Sequence, residues 1–139
     1  MARPNKNKAF DGLTQLKKGT TRYPGSPDET RLESFPNASP QRDFTVTFDC
    51  PEFTSICPVT GQPDFAHIVI EYVPNRRCIE SKSLKLYLGA FRNLGAFAES
   101  IVNRILDDLV KACRPRRATV TGHFTARGGI AIQVTARHP

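Results

Sequence analysis

The chain alternates hydrophobic and polar positions in two stretches, changes to helical spacing for two stretches, and then alternates twice more. "RDFTVTF" puts Phe44, Val46 and Phe48 on one face, and "AHIVIEYV" does the same with Ile68, Ile70 and Tyr72. Each predicts a strand buried on one side. "SKSLKLYLGAFRN" predicts a short helix with Ser81 as its N-cap. In "FAESIVNRILDDLVKAC", Phe97, Ile101, Ile105 and Leu109, flanked by Val102 and Leu106, fall on one helical stripe, and Pro115 ends the helix. "RATVTGHF" and "GIAIQVTAR" are two more strands, the second showing Ile130, Ile132 and Val134, with "TARGG" as the hairpin turn between them.

The order strand, strand, helix, helix, strand, strand predicts an α+β fold, a four-stranded antiparallel sheet with both helices on one side. Such a sheet keeps two open edges and one uncovered face, and subunit assembly is the expected way of protecting them. Residues 1–41 lack periodicity and hold Pro4, Pro24, Pro27, Pro36 and Pro40. They are expected to form an extended, basic, Pro-rich arm, with residues 42–139 as a single domain.

Composition narrows the function classes. A chain of 139 residues with 39% hydrophobic residues supports one core. No apolar run is long enough to span a bilayer, and "MARPNKNKAF" lacks the apolar middle of a secretory signal, so a cytoplasmic protein with four reduced cysteines is expected. The net charge of +7 suggests nucleic acid, but residues 1–22 carry +5 of it. A basic face on the domain is not expected, nor is direct nucleic-acid binding.

The segment "FTSICPVTGQPDFA", residues 53–66, carries the first candidate chemistry. Two prolines and a glycine exclude helix and central strand, so Cys57 and Asp64 are expected on one loop with an enforced turn between them. A thiol is a strong nucleophile, and a nearby carboxyl group can take its proton or hand one to the atom receiving electrons. On spacing alone a buried thiol and a turn-capping aspartate are the commoner reading. Cys50, Cys57, Cys78 and Cys113 form no CxxC pair and have no histidine at finger spacing, so no metal is expected. In "ESKSLKLYLGAFRN", Lys82, Lys85 and Arg92 stand near a helix start beside Ser81 and Ser83, a combination that suits phosphate, though it lacks both Gly-rich nucleotide motifs. Such a cluster is more often a solvated helix face.

Together these stretches resemble a known family. "ESKSLKLY" is similar to the signature of the NADPH-dependent 7-cyano-7-deazaguanine reductases, the nitrile reductases of queuosine biosynthesis in tRNA modification. "FTSICPVTGQPDFA" resembles the segment that carries their catalytic Cys and Asp, and the likeness runs through "FRNLGAFAES" to "FTARGG", closest to the short, single-module branch. The resemblance implies the tunnelling fold, in which sheets from several subunits join into a barrel with active sites at subunit interfaces. It implies that Cys57 adds to the nitrile carbon as a covalent thioimidate, that Asp64 protonates the nitrile nitrogen, and that two NADPH complete a four-electron reduction to 7-aminomethyl-7-deazaguanine. Glu99 would read the base, with Ala98 beside it. Ile79, Glu80 and Ser81 would line the base from the other side, across a subunit boundary. Lys82 and Lys85, with Arg127, would hold the NADPH phosphates. One position departs: the family pattern has His-Glu where this chain has Ala98 and Glu99. The runner-up is a non-reducing, amidine-forming relative that uses the same thiol on the same nitrile. "ESKSLKLY" argues against it. A zinc cyclohydrolase would need paired metal ligands, and an RNA-binding module would leave the Cys57–Asp64 segment unexplained.

Overall fold

The computed structural model describes residues 8–15 and 22–139. Its main sheet has four antiparallel strands in the order β2 (Val46–Ile56), β3 (Pro63–Val73), β5 (Arg117–Arg127), β6 (Ile130–His138). Two helices, α1 (Ser81–Gly89) and α2 (Ala98–Cys113), lie between the strand pairs in the chain, as the periodicity predicts. A second, two-stranded sheet pairs β1 (Ser34–Pro36) with β4 (Arg77–Ile79).

Period-two alternation decides the inner face of the sheet. Ile68, Ile70 and Tyr72 on β3 and Ala118, Val120 and Phe124 on β5 point at the helices and are buried. From α2, Ile101, Val102, Ile105, Leu106 and Leu109 fill the opposite side of the core. Phe97 belongs to the same stripe in sequence but is the N-cap of α2 and 59% exposed, because its backbone is already extended there. On β6 the inner face is covered only in part: Val134 and Ala136 pack on the core, while Ile130 and Ile132 are exposed.

Three local expectations change. The stretch 53–66 is not a loop throughout: Phe53–Ile56 continue β2, Pro63–Ala66 begin β3, and only residues 57–62 turn. Pro51 and Pro63 are tolerated because β2 is an edge strand with a register shift between Cys50 and Phe53, and Pro63 is the first residue of its strand. The N-cap of α1 is Glu80 and not Ser81; its carboxylate accepts from the N–H groups of Lys82 and Ser83, each at 2.7 Å. A carboxylate neutralises the positive helix end better than a hydroxyl does. Finally, the described part of residues 1–41 is tied to the domain. Leu32 joins the core, Leu13 is buried, and Glu33 accepts hydrogen bonds from the Thr14 N–H while its own N–H donates to the Ser83 hydroxyl.

Candidate active site

The turn at residues 57–62 closes the β2–β3 hairpin. The Cys57 N–H donates to the Gln62 carbonyl at 2.8 Å, and the Gly61 N–H donates to the Cys57 carbonyl at 3.0 Å. Gly61 has φ of 70°, a left-handed conformation that a side chain would strain. The tight turn aims its own polar groups at sulfur. The Thr60 hydroxyl, followed by the backbone N–H groups of Thr60 and Val59, hydrogen-bonds Cys57 and holds its thiol below the usual range, against opposing contributions from burial and the Asp64 charge. Donors that favour the thiolate make a better nucleophile at neutral pH. The other three cysteines move the opposite way. Burial raises Cys50 (with the Asp49 charge adding) and Cys78, and pushes Cys113 up to about 12. All four are free thiols, and electrostatics singles out Cys57.

Strand pairing puts Asp64 beside that thiol. Ser55 and Asp64 are directly opposed in the β2–β3 ladder, so both side chains emerge on the face that carries Phe53 and Ala66. Arg127, expected among the cofactor-binding cations, lies here instead of beside the lysines. Its Nε is 2.7 Å from Asp64 Oδ1, and its other nitrogens donate to Gln62 Oε1 and the Pro63 carbonyl. A distance of 63 residues in the chain hides that pairing from sequence inspection. The antiparallel β3–β5 ladder, which pairs Ala66 with Phe124 at this end of the sheet, brings it about.

On the other side of Cys57 runs the segment that leads into α2. The Ile56 N–H donates to the Leu94 carbonyl at 2.9 Å and the Ala96 N–H to the Ile56 carbonyl at 3.2 Å, an extra parallel bridge outside the sheet proper. Pro58 packs on Gly95, with 3.5 Å left for any Cβ there. The tip of β2 is thus held between Asp64 on one side and the start of α2 on the other. Glu99 is exposed in the first turn of α2, and Ala98, half-buried, is its first residue. Phe97 offers no side-chain cap to the first N–H groups of this helix.

The remaining candidates are elsewhere. Ile79 is buried, and its N–H donates to the Tyr72 hydroxyl at 2.9 Å. Glu80 is 4% exposed and occupied in capping α1. Ser81 and Lys85 line a groove of about 370 Å³ between α1 and the β2 edge, with Phe48, Cys50, Phe53 and Leu88 on its walls. Lys82 and Lys85 are three apart and share a helix face. Arg92 is engaged by the N-terminal stretch, donating to the Pro24 carbonyl at 2.6 Å and lying over the Tyr23 ring. From Leu94, beside Ile56, the helical residues 93 to 81 lead away from the hairpin tip, about 20 Å at the rise of one α-helix and one 3-10 turn. Cys57, Asp64 and Arg127 form one cluster, with Ala98 and Glu99 starting α2 a few residues past the Ile56–Gly95 bridge; Ile79, Glu80, Ser81, Lys82 and Lys85 form another. Among the described residues no group of three or more His, Cys, Asp or Glu is arranged to hold a metal.

The antiparallel α+β scaffold carries a thiol and a carboxylate at a hairpin tip, and the chain is similar to QueF-like proteins. A family model of that description, QueF-like protein, matches residues 63–139. A crystal structure of an archaeosine synthase QueF-Like in the apo form shares the fold, with a TM-score of 0.60 over 68% of this chain and 91% of that one at 19% identity. Sequence relatives are much nearer. A protein of Anaeromyxobacter sp. (strain K) is 59% identical over 107 residues, 77% of this chain and 88% of that one. One from Thiobacillus denitrificans is 54% identical over 115 residues, 83% and 82% of the two chains. Both are named NADPH-dependent 7-cyano-7-deazaguanine reductase. The chain belongs to this reductase family.

Proposed function

We propose that the chain reduces the nitrile of 7-cyano-7-deazaguanine to the aminomethyl group with two NADPH, through a covalent bond to Cys57. The observation that carries the reading is the one depressed thiol of four, placed next to Asp64 by strand register. Cys57 Sγ bonds to the nitrile carbon, one C–N π bond breaks, and the thiol proton travels through the Asp64 carboxylate to nitrogen, giving a thioimidate. NADPH supplies two hydrides. After the first reaches the thioimidate carbon, the C–S bond breaks, the Cys57 thiolate leaves and an imine remains; the second hydride and a proton yield the amine. Covalent addition exchanges a poor hydride acceptor for a better one. Glu99 accepts hydrogen bonds from the base, while Lys82 and Lys85 suit the cofactor phosphates by charge and by their shared helix face.

The two clusters have to meet for this to happen, and about 20 Å of helix separates them in one chain. We therefore place each active site between chains: Cys57, Asp64 and Glu99 from one, the start of α1 from another. The open edges of β2 and β6 supply a way to join such chains into the barrel of the tunnelling fold. The amidine-forming alternative is not favoured, since the relatives at 54–59% identity carry the reductase name. Mixing the protein with nitrile in the absence of NADPH should produce an intact-mass adduct on Cys57 that the Cys57→Ala chain does not form. An adduct surviving in that variant would remove Cys57 from the mechanism.

A further inference from the structure

Ser55 is 1% exposed, and its Oγ has no hydrogen-bond partner among the described residues. A buried hydroxyl without a partner is costly, and native proteins rarely retain one without a use. Its surroundings limit what that use is. Along its own face of β2 stand Phe53 on one side and Cys57 on the other. The Phe53 ring packs on Phe91 and Phe124, with centroids 5.5 Å and 6.5 Å away, so the direction toward the core is closed by aromatic carbon. Directly across the ladder is Asp64. Opposed residues in an antiparallel pair keep their Cβ atoms about 5 Å apart, a gap that a hydroxyl and a carboxylate close by rotation about χ1. Arg127 occupies Asp64 Oδ1, whereas Oδ2 has no hydrogen bond among the described residues.

We propose that Ser55 is a positioning residue whose Oγ–H donates to Asp64 Oδ2 while Cys57 adds to the nitrile. Arg127 and Ser55 then grip the carboxylate from two sides and fix it between the sulfur that loses a proton and the nitrogen that gains one. Ser55 makes no contact with substrate, being sealed beneath the site. The inference rests on the proton-carrying role given above to Asp64.

The test is thioimidate formation without NADPH, followed over a range of nitrile concentrations, in the wild-type and Ser55→Ala chains. Because the hydroxyl has no partner to lose in the free protein, Ser55→Ala should melt at the same temperature as wild type or above it. Its rate at saturating nitrile should fall about tenfold, the effect of one hydrogen bond to a charged group, with half-saturation unchanged. In an Asp64→Ala background the same substitution should slow the reaction no further, since the acceptor is gone. A wild-type saturating rate for Ser55→Ala, a lowered melting temperature, or an equal loss in the Asp64→Ala background would overturn the assignment. If the wild-type protein itself forms no adduct, the covalent mechanism fails first and this inference with it.

Discussion

The thiol of Cys57 is activated by groups that its own turn provides, and this makes the chemistry testable one residue at a time. Donors to a thiolate lower its pKa, and the Thr60 hydroxyl is the largest of those acting on Cys57. Thr60→Val removes that donor, so the pH at which Cys57 becomes reactive should move up. Alkylation followed against pH should show the wild-type sulfur reacting at lower pH than in the variant, and before Cys50, Cys78 and Cys113, which burial pushes up. An unchanged profile would mean that the turn does not tune the sulfur. Ala98 is a second case. It begins α2 beside the hairpin tip, where the family pattern carries histidine. A hydrogen bond to a neutral group is worth about 0.5–1.5 kcal/mol, so Ala98→His should raise catalytic efficiency by about tenfold or less and leave the products unchanged. Steady-state NADPH oxidation by both chains measures it; an equal or lower efficiency would exclude residue 98 from contact with the base.

At the scale of elements, the stripe of α2 and the alternation of β3 and β5 were legible because each buries a regular face in one core. Ends and edges were not. Ser81 was expected to cap α1, and the structure has buried Glu80 holding its first turn. A cap is a local choice between neighbouring polar residues, and periodicity does not distinguish them. Cys57 and Asp64 were visible as a pair because a short turn separates them, whereas the Arg127–Asp64 contact and the buried hydroxyl of Ser55 depend on strand register. Pro63 within the segment 53–66 also ran against a simple reading, since it is admitted as the first residue of β3. Glu80→Ala should cost about 1–2 kcal/mol through loss of the cap, read from chemical denaturation, and should weaken any function of Lys82 and Lys85 indirectly. Unaltered stability would mean that this cap does not hold α1.

For the whole molecule, the proposed function draws the two clusters of each site from different chains. The Cys57→Ala chain should be inactive for lack of the nucleophile, and the Lys82→Ala chain, lacking a phosphate contact worth about 1.5–3 kcal/mol, should be nearly so at NADPH concentrations low enough to be limiting. Co-expressed in equal amounts, they should recover about a quarter of the wild-type sites, because one in four interfaces then draws both intact halves from different chains. No recovery in a mixed assembly would place the full site within one chain. The two-stranded sheet of β1 and β4 ties residues 77–79, and so the start of α1, to the N-terminal stretch.

The central claim is a four-electron reduction of a nitrile at Cys57. It is tested most directly by counting NADPH consumed against product formed when the purified protein is given limiting 7-cyano-7-deazaguanine. Two NADPH oxidised for each 7-aminomethyl-7-deazaguanine released, with no turnover in the Cys57→Ala chain, is the predicted result. Nitrile consumed with NADPH untouched, or reduction that persists without the Cys57 thiol, would contradict it.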